Sequence, residues 1–144
     1  MIQRILIVCV GNICRSPMAE ALLRARLHGR EVAIESAGLA PLVGRPIDPE
    51  AAAVLAANGL SADAHAARRI TPELISAADL VLAMDPRQLS AIRAIAPQAR
   101  GKTFLLGKWI GDADVPDPYG QPRAMFEQAY ALIERAVEGW LARL

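Results

Sequence analysis

Aromatic side chains are scarce in this chain: two Trp, two Tyr and two Phe, 4% of 144 residues, although 53% of the sequence is hydrophobic. The apolar content is therefore mostly Ala, Leu, Ile and Val, the composition of alanine-rich helices packed on aliphatic strands. Histidine is as rare, with His28 and His65 alone, and no spacing of metal-ligating residues appears around either. The two cysteines, Cys9 and Cys14, lie in one short stretch and do not resemble a secreted disulfide framework. A formal net charge of +1 gives no electrostatic case for nucleic acid or an anionic membrane as partner. No apolar run approaches the roughly 20 residues that span a bilayer, so membrane insertion is not expected. The apolar N-terminal stretch runs into Gly11, Asn12 and Arg15 without a small-residue cleavage site. These absences leave one soluble cytoplasmic domain over 1–144 as the expectation, a monomer or weak dimer.

What is present alternates. Arg4 to Val10 reads as a buried strand, and Pro17 to His28 as a helix with Met18, Leu22, Leu23 and Leu27 on its apolar side. Val32 to Ser36 is a second strand, closed by Ala37-Gly38; a Gly- and Pro-rich loop follows to Pro49. Asp48-Pro49 opens a helix to Ala57, stopped by Asn58-Gly59. Asp79 to Met84 is a third strand, Asp85-Pro86 opens a helix to Ala96, and Lys102 to Leu106 is a fourth strand. An irregular stretch, 107–122, precedes a last helix from Arg123, with Phe126, Ala129, Ile133, Ala136 or Val137 and Trp140 on one face. Strands alternating with helices imply right-handed crossovers. The expected fold is α/β: a single doubly wound domain, a four-stranded parallel sheet with helices on both faces.

The most informative residues are Cys9-Val10-Gly11-Asn12-Ile13-Cys14-Arg15-Ser16, between the first strand and Pro17. A lone cysteine after a strand is most often a small buried hydrophobe. Here it stands at the carboxyl end of the strand, where ligands bind in open α/β sheets. Gly11 and Asn12 tolerate the positive φ angles that turn successive backbone N–H groups inward as an anion nest. Ser16 suits an N-cap and Pro17 a first helical position, placing a positive helix end at the loop. Arg15 adds a planar fork of donors for phosphate oxygens. Phosphate held against a thiol by Val10 to Arg15 is the chemistry these residues share.

Cys-x5-Arg-Ser is the signature of cysteine-dependent phosphatases. The wider run Val8 to Glu20, with Glu35-Ser36-Ala37-Gly38, His65-Ala66-Ala67-Arg68, Met84-Asp85 and Asp117-Pro118-Tyr119, resembles the low-molecular-weight protein tyrosine phosphatase family over nearly the whole chain. The resemblance implies that Cys9 attacks phosphorus in line while Arg15 and the loop N–H groups hold the equatorial oxygens. It implies Asp117 as the acid that protonates the departing phenolate, whose conjugate acid has a pKa of about 10, and then as the base that activates water on phosphocysteine. Asn12 and Ser16 match the residues that hold the loop and stabilise the thiolate, and His65 matches the histidine of that network. Tyr119 and Leu42, with Ile13, are candidate walls of the cleft. Better-known members carry two aromatics after Asp-Pro and one in the earlier loop; here stand Tyr119-Gly120 and the aliphatic stretch Leu39 to Val43. The Leu-Val-Gly loop resembles the bacterial subgroup associated with capsule and exopolysaccharide production, whose partners are tyrosine autokinases. No cofactor is implied. Cys14, a second thiol in the loop, is a candidate to capture oxidised Cys9 as a disulfide.

Three rivals share the scaffold or the loop. Phosphoarginine specificity goes, by resemblance, with a Thr where this chain has Ile13. Arsenate reductases need relay cysteines downstream, and none follows Cys14. A non-catalytic phosphate-binding module would be expected to lack Cys9 or Asp117. Asp112 and Asp114 are expected to be turn residues, Arg68-Arg69 a solvated or capping pair. Gly101-Lys102-Thr103 leads into a strand, unlike a nucleotide-binding P-loop.

Overall fold

The structure, a computed structural model, describes all of residues 1–144. Its frame is four parallel strands, β1 (Arg4–Cys9), β2 (Ala33–Gly38), β3 (Leu80–Ala83) and β4 (Thr103–Leu105), in the spatial order β2-β1-β3-β4. Chain order reverses between β2 and β3, on either side of β1, so the carboxyl end of β1 is the crevice where such sheets bind ligands. Cys9 is the last residue of β1, in register with Gly38 of β2.

Strand periodicity sorts the core. Ile5, Ile7 and Cys9 face one side and join a cluster of 27 buried residues, while Leu6 and Val8 face the other and join a cluster of 11. The larger cluster is covered by α1 (Arg15–Arg26), α2 (Pro49–Ala57) and α5 (Arg123–Leu141), the smaller by α3 (Pro72–Ala77) and α4 (Pro86–Ile95). On α5 the buried stripe is Phe126, Ala129, Tyr130, Ile133, Ala136, Val137 and Trp140. The Trp140 indole N–H donates to the Leu106 carbonyl at 2.8 Å and fastens this helix to the end of β4. Three helices begin alike: Asp48, Thr71 and Asp85 each accept a backbone N–H from the first turn, and each precedes a proline at N1.

Several local expectations are corrected. Helix α1 starts at Arg15, with Cys14 at the N-cap, so Ser16 lies inside the first turn and caps nothing. Its hydroxyl is turned inward instead, as shown below. Asn12 has φ 56°, but Gly11 is not in the positive-φ region; one left-handed residue suffices to turn the loop. Helix α3, only six residues long, has too short an apolar pattern to read from sequence and is announced only by Thr71-Pro72. Arg68, expected to be solvated or capping, does cap: its half-exposed guanidinium pairs with Glu35 and donates to the Ser36 carbonyl. Gly38 ends β2 where a Cβ would lie 2.6 Å from the Val10 carbonyl oxygen, so the loop after Cys9 can ride over β2 only with glycine there.

Candidate active site

Residues 9–15 line a cleft of about 260 Å³, together with Ala40, Leu42 and Arg45 from the β2–α2 connection and Asp117 and Tyr119 from the stretch before α5. Ile13, Leu42, Tyr119, Cys9, Arg15 and Asp117, which sequence reasoning grouped, are thus brought to one place. Asp112 and Asp114 do not line it, and Asp112 occupies a positive-φ turn position. Ser16 and His65 stand behind the loop.

Two polar groups reach the sulfur of Cys9. The Asn12 backbone N–H reaches Sγ at 3.2 Å, and Ser16 Oγ lies 2.9 Å from it. The direction of the second bond depends on whether Cys9 is a thiol or a thiolate. The Asn12 Nδ2 can only donate, and it gives one hydrogen to Ser16 Oγ (2.8 Å) and one to Ser36 Oγ (3.0 Å). Ser16 accepts there and keeps its own proton free; a thiolate can only accept, so with Cys9 ionised that proton points at the sulfur. Ser36 in turn donates to Glu20 at 2.5 Å. Donors converging on sulfur at the first turn of α1, with its unpaired N–H groups, form an arrangement for holding a thiolate.

Asn12 is fully buried, and its other polar atoms are also spoken for: Oδ1 accepts the Arg68 N–H (3.0 Å), and its carbonyl accepts from His65 Nε2 (2.5 Å). The carbonyl cannot donate, so the Nε2 position of His65 carries the hydrogen. An unusual backbone angle at a residue with every group bonded is held in place by its surroundings.

Arg15, 4% exposed, donates from Nη1 to the Val115 carbonyl at 2.9 Å. Two carboxylates stand farther off: Asp85 at 3.7 Å and Asp117 at 3.8 Å. The single tight bond fixes the plane of the guanidinium, and its remaining N–H groups make no hydrogen bond within the protein. Val115 is itself tied by its N–H to the Met84 carbonyl at the end of β3. Asp117 is exposed, and its Oδ1 accepts the Tyr119 N–H at 3.1 Å in an Asx turn. Cys14 is buried; desolvation, with the charges of Asp48, Asp117 and Cys9 nearby, pushes its thiol well above the ordinary range. No three His, Cys, Asp or Glu side chains come close enough to hold a metal ion.

Sequence reasoning assigned no part in the site to Ser36, Glu20, Arg68, Asp85, Val115 or Arg45. Ser36 and Asp85 carried a signal, a serine ending an apolar strand and an Asp-Pro helix start. The Val115 contact is through backbone and leaves no trace in side-chain pattern.

A thiol at the end of a parallel strand, a nest of N–H groups and an arginine closing it onto a helix define a cysteine-dependent phosphatase. Residues 4–144 match the family described as low molecular weight phosphotyrosine protein phosphatase, and the chain belongs to that family. It is 47% identical over 140 residues to the low molecular weight protein-tyrosine-phosphatase Etp of Escherichia coli K12, covering 97% of this chain and 93% of that one. Its fold superposes with a TM-score of 0.95 on Vibrio vulnificus Wzb in complex with benzylphosphonate, at 41% identity and full coverage of both chains. It also superposes on the YwlE arginine phosphatase of Geobacillus stearothermophilus, with a TM-score of 0.91 at 34% identity, covering 97% of this chain and 91% of that one. No helix is long and apolar enough to cross a membrane.

Proposed function

We propose that the protein hydrolyses phosphotyrosine in protein substrates through a phosphocysteine intermediate. The observation that carries this reading is the convergence of Cys9, Arg15 and Asp117 on one cleft, with the Asn12 N–H and the Ser16 hydroxyl already against the Cys9 sulfur. In the first step Cys9 Sγ forms a bond to phosphorus as the bond to the phenolic oxygen breaks. Arg15 and the N–H groups of residues 10–15 hold the three equatorial oxygens. Asp117 gives its proton to the leaving phenolate, then takes one from the water that displaces Cys9 and releases inorganic phosphate. Asn12 and Ser16 keep the sulfur charged and aligned, and His65 holds the Asn12 carbonyl.

The substrate class follows from what flanks the cradle. The phosphate loop cannot tell one phosphoryl group from another; depth and lining must. Tyr119 can stack on a phenyl ring, and Leu42 and Ile13 give it apolar contact. Ile13 offers no hydroxyl to a guanidinium leaving group, which favours the tyrosine reading over the arginine one. The subgroup resemblance of the Leu42-Val43-Gly44 loop supports a bacterial tyrosine autokinase as the protein partner, cytoplasmic action and a place in exopolysaccharide regulation. Steady-state kinetics on phosphotyrosine, phosphoserine and phosphoarginine peptides tests the reading. Phosphotyrosine should be preferred over both, and Ile13→Thr should move the ratio towards phosphoarginine. Equal efficiency of the wild type on phosphoarginine and phosphotyrosine would overturn it.

A further inference from the structure

We propose that Arg45 forms a second anion subsite at the mouth of the cleft, selecting phosphotyrosines whose neighbour in the substrate chain is itself anionic. The inference rests on the phosphotyrosine reading and adds what surrounds the scissile group. Arg15 and Arg45 are the two cationic side chains lining the cleft. Arg15 is buried beneath the phosphoryl position, whereas Arg45 is exposed at the rim. Five surface arginines are matched to carboxylates: Arg4 and Arg68 to Glu35, Arg24 to Glu20, Arg26 to Glu134 and Glu138, Arg123 to Glu50. Others are unpaired, but of the unpaired ones only Arg45 lines the cleft. Arg45 has no such partner and makes no side-chain hydrogen bond, although it sits among groups that would receive a substrate.

Its backbone is nevertheless fixed. The Arg45 carbonyl accepts the Ala67 N–H at 2.8 Å, the Gly44 N–H donates to the Ala67 carbonyl at 2.8 Å, and the Arg45 N–H donates to the Leu42 carbonyl at 3.2 Å. Gly44, at φ +89°, turns the chain to make this possible. Ala67 lies between His65 and Arg68, the residues that clamp Asn12. One segment therefore sets both the phosphate loop and the root of the Arg45 side chain. A guanidinium presented from a fixed root makes bidentate contacts with carboxylate or phosphate at a smaller entropic cost than one on a free loop. Beside it Leu42 and Val43 are 65% and 70% exposed, an apolar rim that a bound peptide would cover, drying the ion pair and strengthening it.

An aspartate, a glutamate or a second phosphotyrosine would satisfy the same fork, and the test separates them. Three phosphotyrosine peptides of equal length are compared, one with alanine neighbours, one with acidic neighbours and one with an adjacent phosphotyrosine. For the wild type, kcat/KM should be about three- to fivefold higher on one or both anionic peptides, carried by KM and shrinking as salt is added, as for a partly exposed ion pair. Arg45→Ala should erase that ratio, Arg45→Lys should restore part of it, and Arg45→Glu should invert it. A wild type indifferent to flanking charge, or a preference that survives Arg45→Ala, overturns the subsite while leaving the phosphotyrosine reading intact. A wild type inactive on all three peptides overturns the phosphotyrosine reading itself, and this inference with it.

Discussion

Two loops meet in the cleft, and they are built in opposite ways. The loop from Cys9 to Ser16 is part of the core: Cys9, Asn12, Cys14, Arg15 and Ser16 are all buried, and Asn12 alone is held by contacts to Cys9, Ser16, Ser36, His65 and Arg68. The stretch carrying Asp117 lies on the surface. Its carboxylate is exposed, bonded to its own turn and only loosely approached by Arg15. The difference assigns separate physical demands to the two halves of the reaction. Binding a phosphoryl group and stabilising its transition state need donors fixed in advance. Donating a proton and later activating water need access to solvent, and a carboxylate buried against this core would lose it. Substitutions in the first loop should therefore disturb stability and chemistry together, and those in the second chemistry alone.

The largest effects should come from the buried half. Cys9→Ser should abolish turnover while inorganic phosphate or vanadate still binds, because the cradle is mostly backbone; titration calorimetry on the variant reads this directly. Arg15→Lys should lower kcat by roughly 10³-fold or more, since an ammonium cannot reproduce a planar fork holding Val115 and two phosphate oxygens at once. Substantial activity in Cys9→Ser would displace Cys9 as nucleophile.

The comparison is sharpest between Asp117→Asn and Asn12→Ala. Asp117→Asn should cost roughly 10²- to 10³-fold in kcat on unactivated phenyl phosphates and less on activated aryl esters, whose leaving groups need less protonation. Its unfolding free energy should stay within about 0.5 kcal/mol of wild type, as for other exposed substitutions. Asn12→Ala should lose about 2–4 kcal/mol, because it leaves buried partners unpaired and puts a side chain with no local hydrogen bond at φ 56°. Denaturant unfolding of both variants beside their kinetics checks the pair. Equal losses of stability would erase the distinction drawn between the two loops.

Sequence made the buried half legible because its residues are contiguous. Strand, thiol, left-handed Asn, arginine and helix follow one another within residues 4 to 26, and each has a local physical signature. The sheet was legible for the same reason, since β1 and β3 are continuous apolar runs bounded by Asp, Gly and Pro. What escaped reading was what distant segments do to one another. Ser16 has the composition of an N-cap, yet the nearby Asn12 amide and Cys9 sulfur claim its hydroxyl, and the helix begins earlier. Arg68 could be read only as solvated or capping, because Glu35, 33 positions away, is its partner only once β2 is in place. Val115 holds Arg15 through a carbonyl, a group every residue possesses.

A smaller effect concerns Cys14, which belongs to the buried loop but whose thiol makes no hydrogen bond there. We propose that it captures Cys9 after peroxide converts that thiolate to sulfenic acid, forming a disulfide and releasing water. Its raised thiol makes the capture slow at neutral pH and faster as pH rises towards the range where the thiolate forms. Cys14→Ser should be active when reduced, yet regain a smaller fraction of activity than wild type after peroxide and then a thiol reductant. Recovery equal to wild type at every pH would remove the role.

The smallest expected effect lies on the exposed half. Tyr119 is 53% exposed at the cleft mouth, and what links it to Asp117 is its backbone N–H, not its ring. Removing the ring should therefore leave the acid where it is. Tyr119→Ala should raise KM for phenyl phosphates about two- to tenfold, the range of one aromatic contact of about 0.5–1.5 kcal/mol, with kcat nearly constant. Alkyl phosphates, which have no ring to stack, should show no change in KM. Measuring both substrate classes on one preparation separates contact from positioning. A fall in kcat common to both would mean that the ring holds the Asp117 turn in place, and that the exposed loop is more firmly built than its hydrogen bonds indicate.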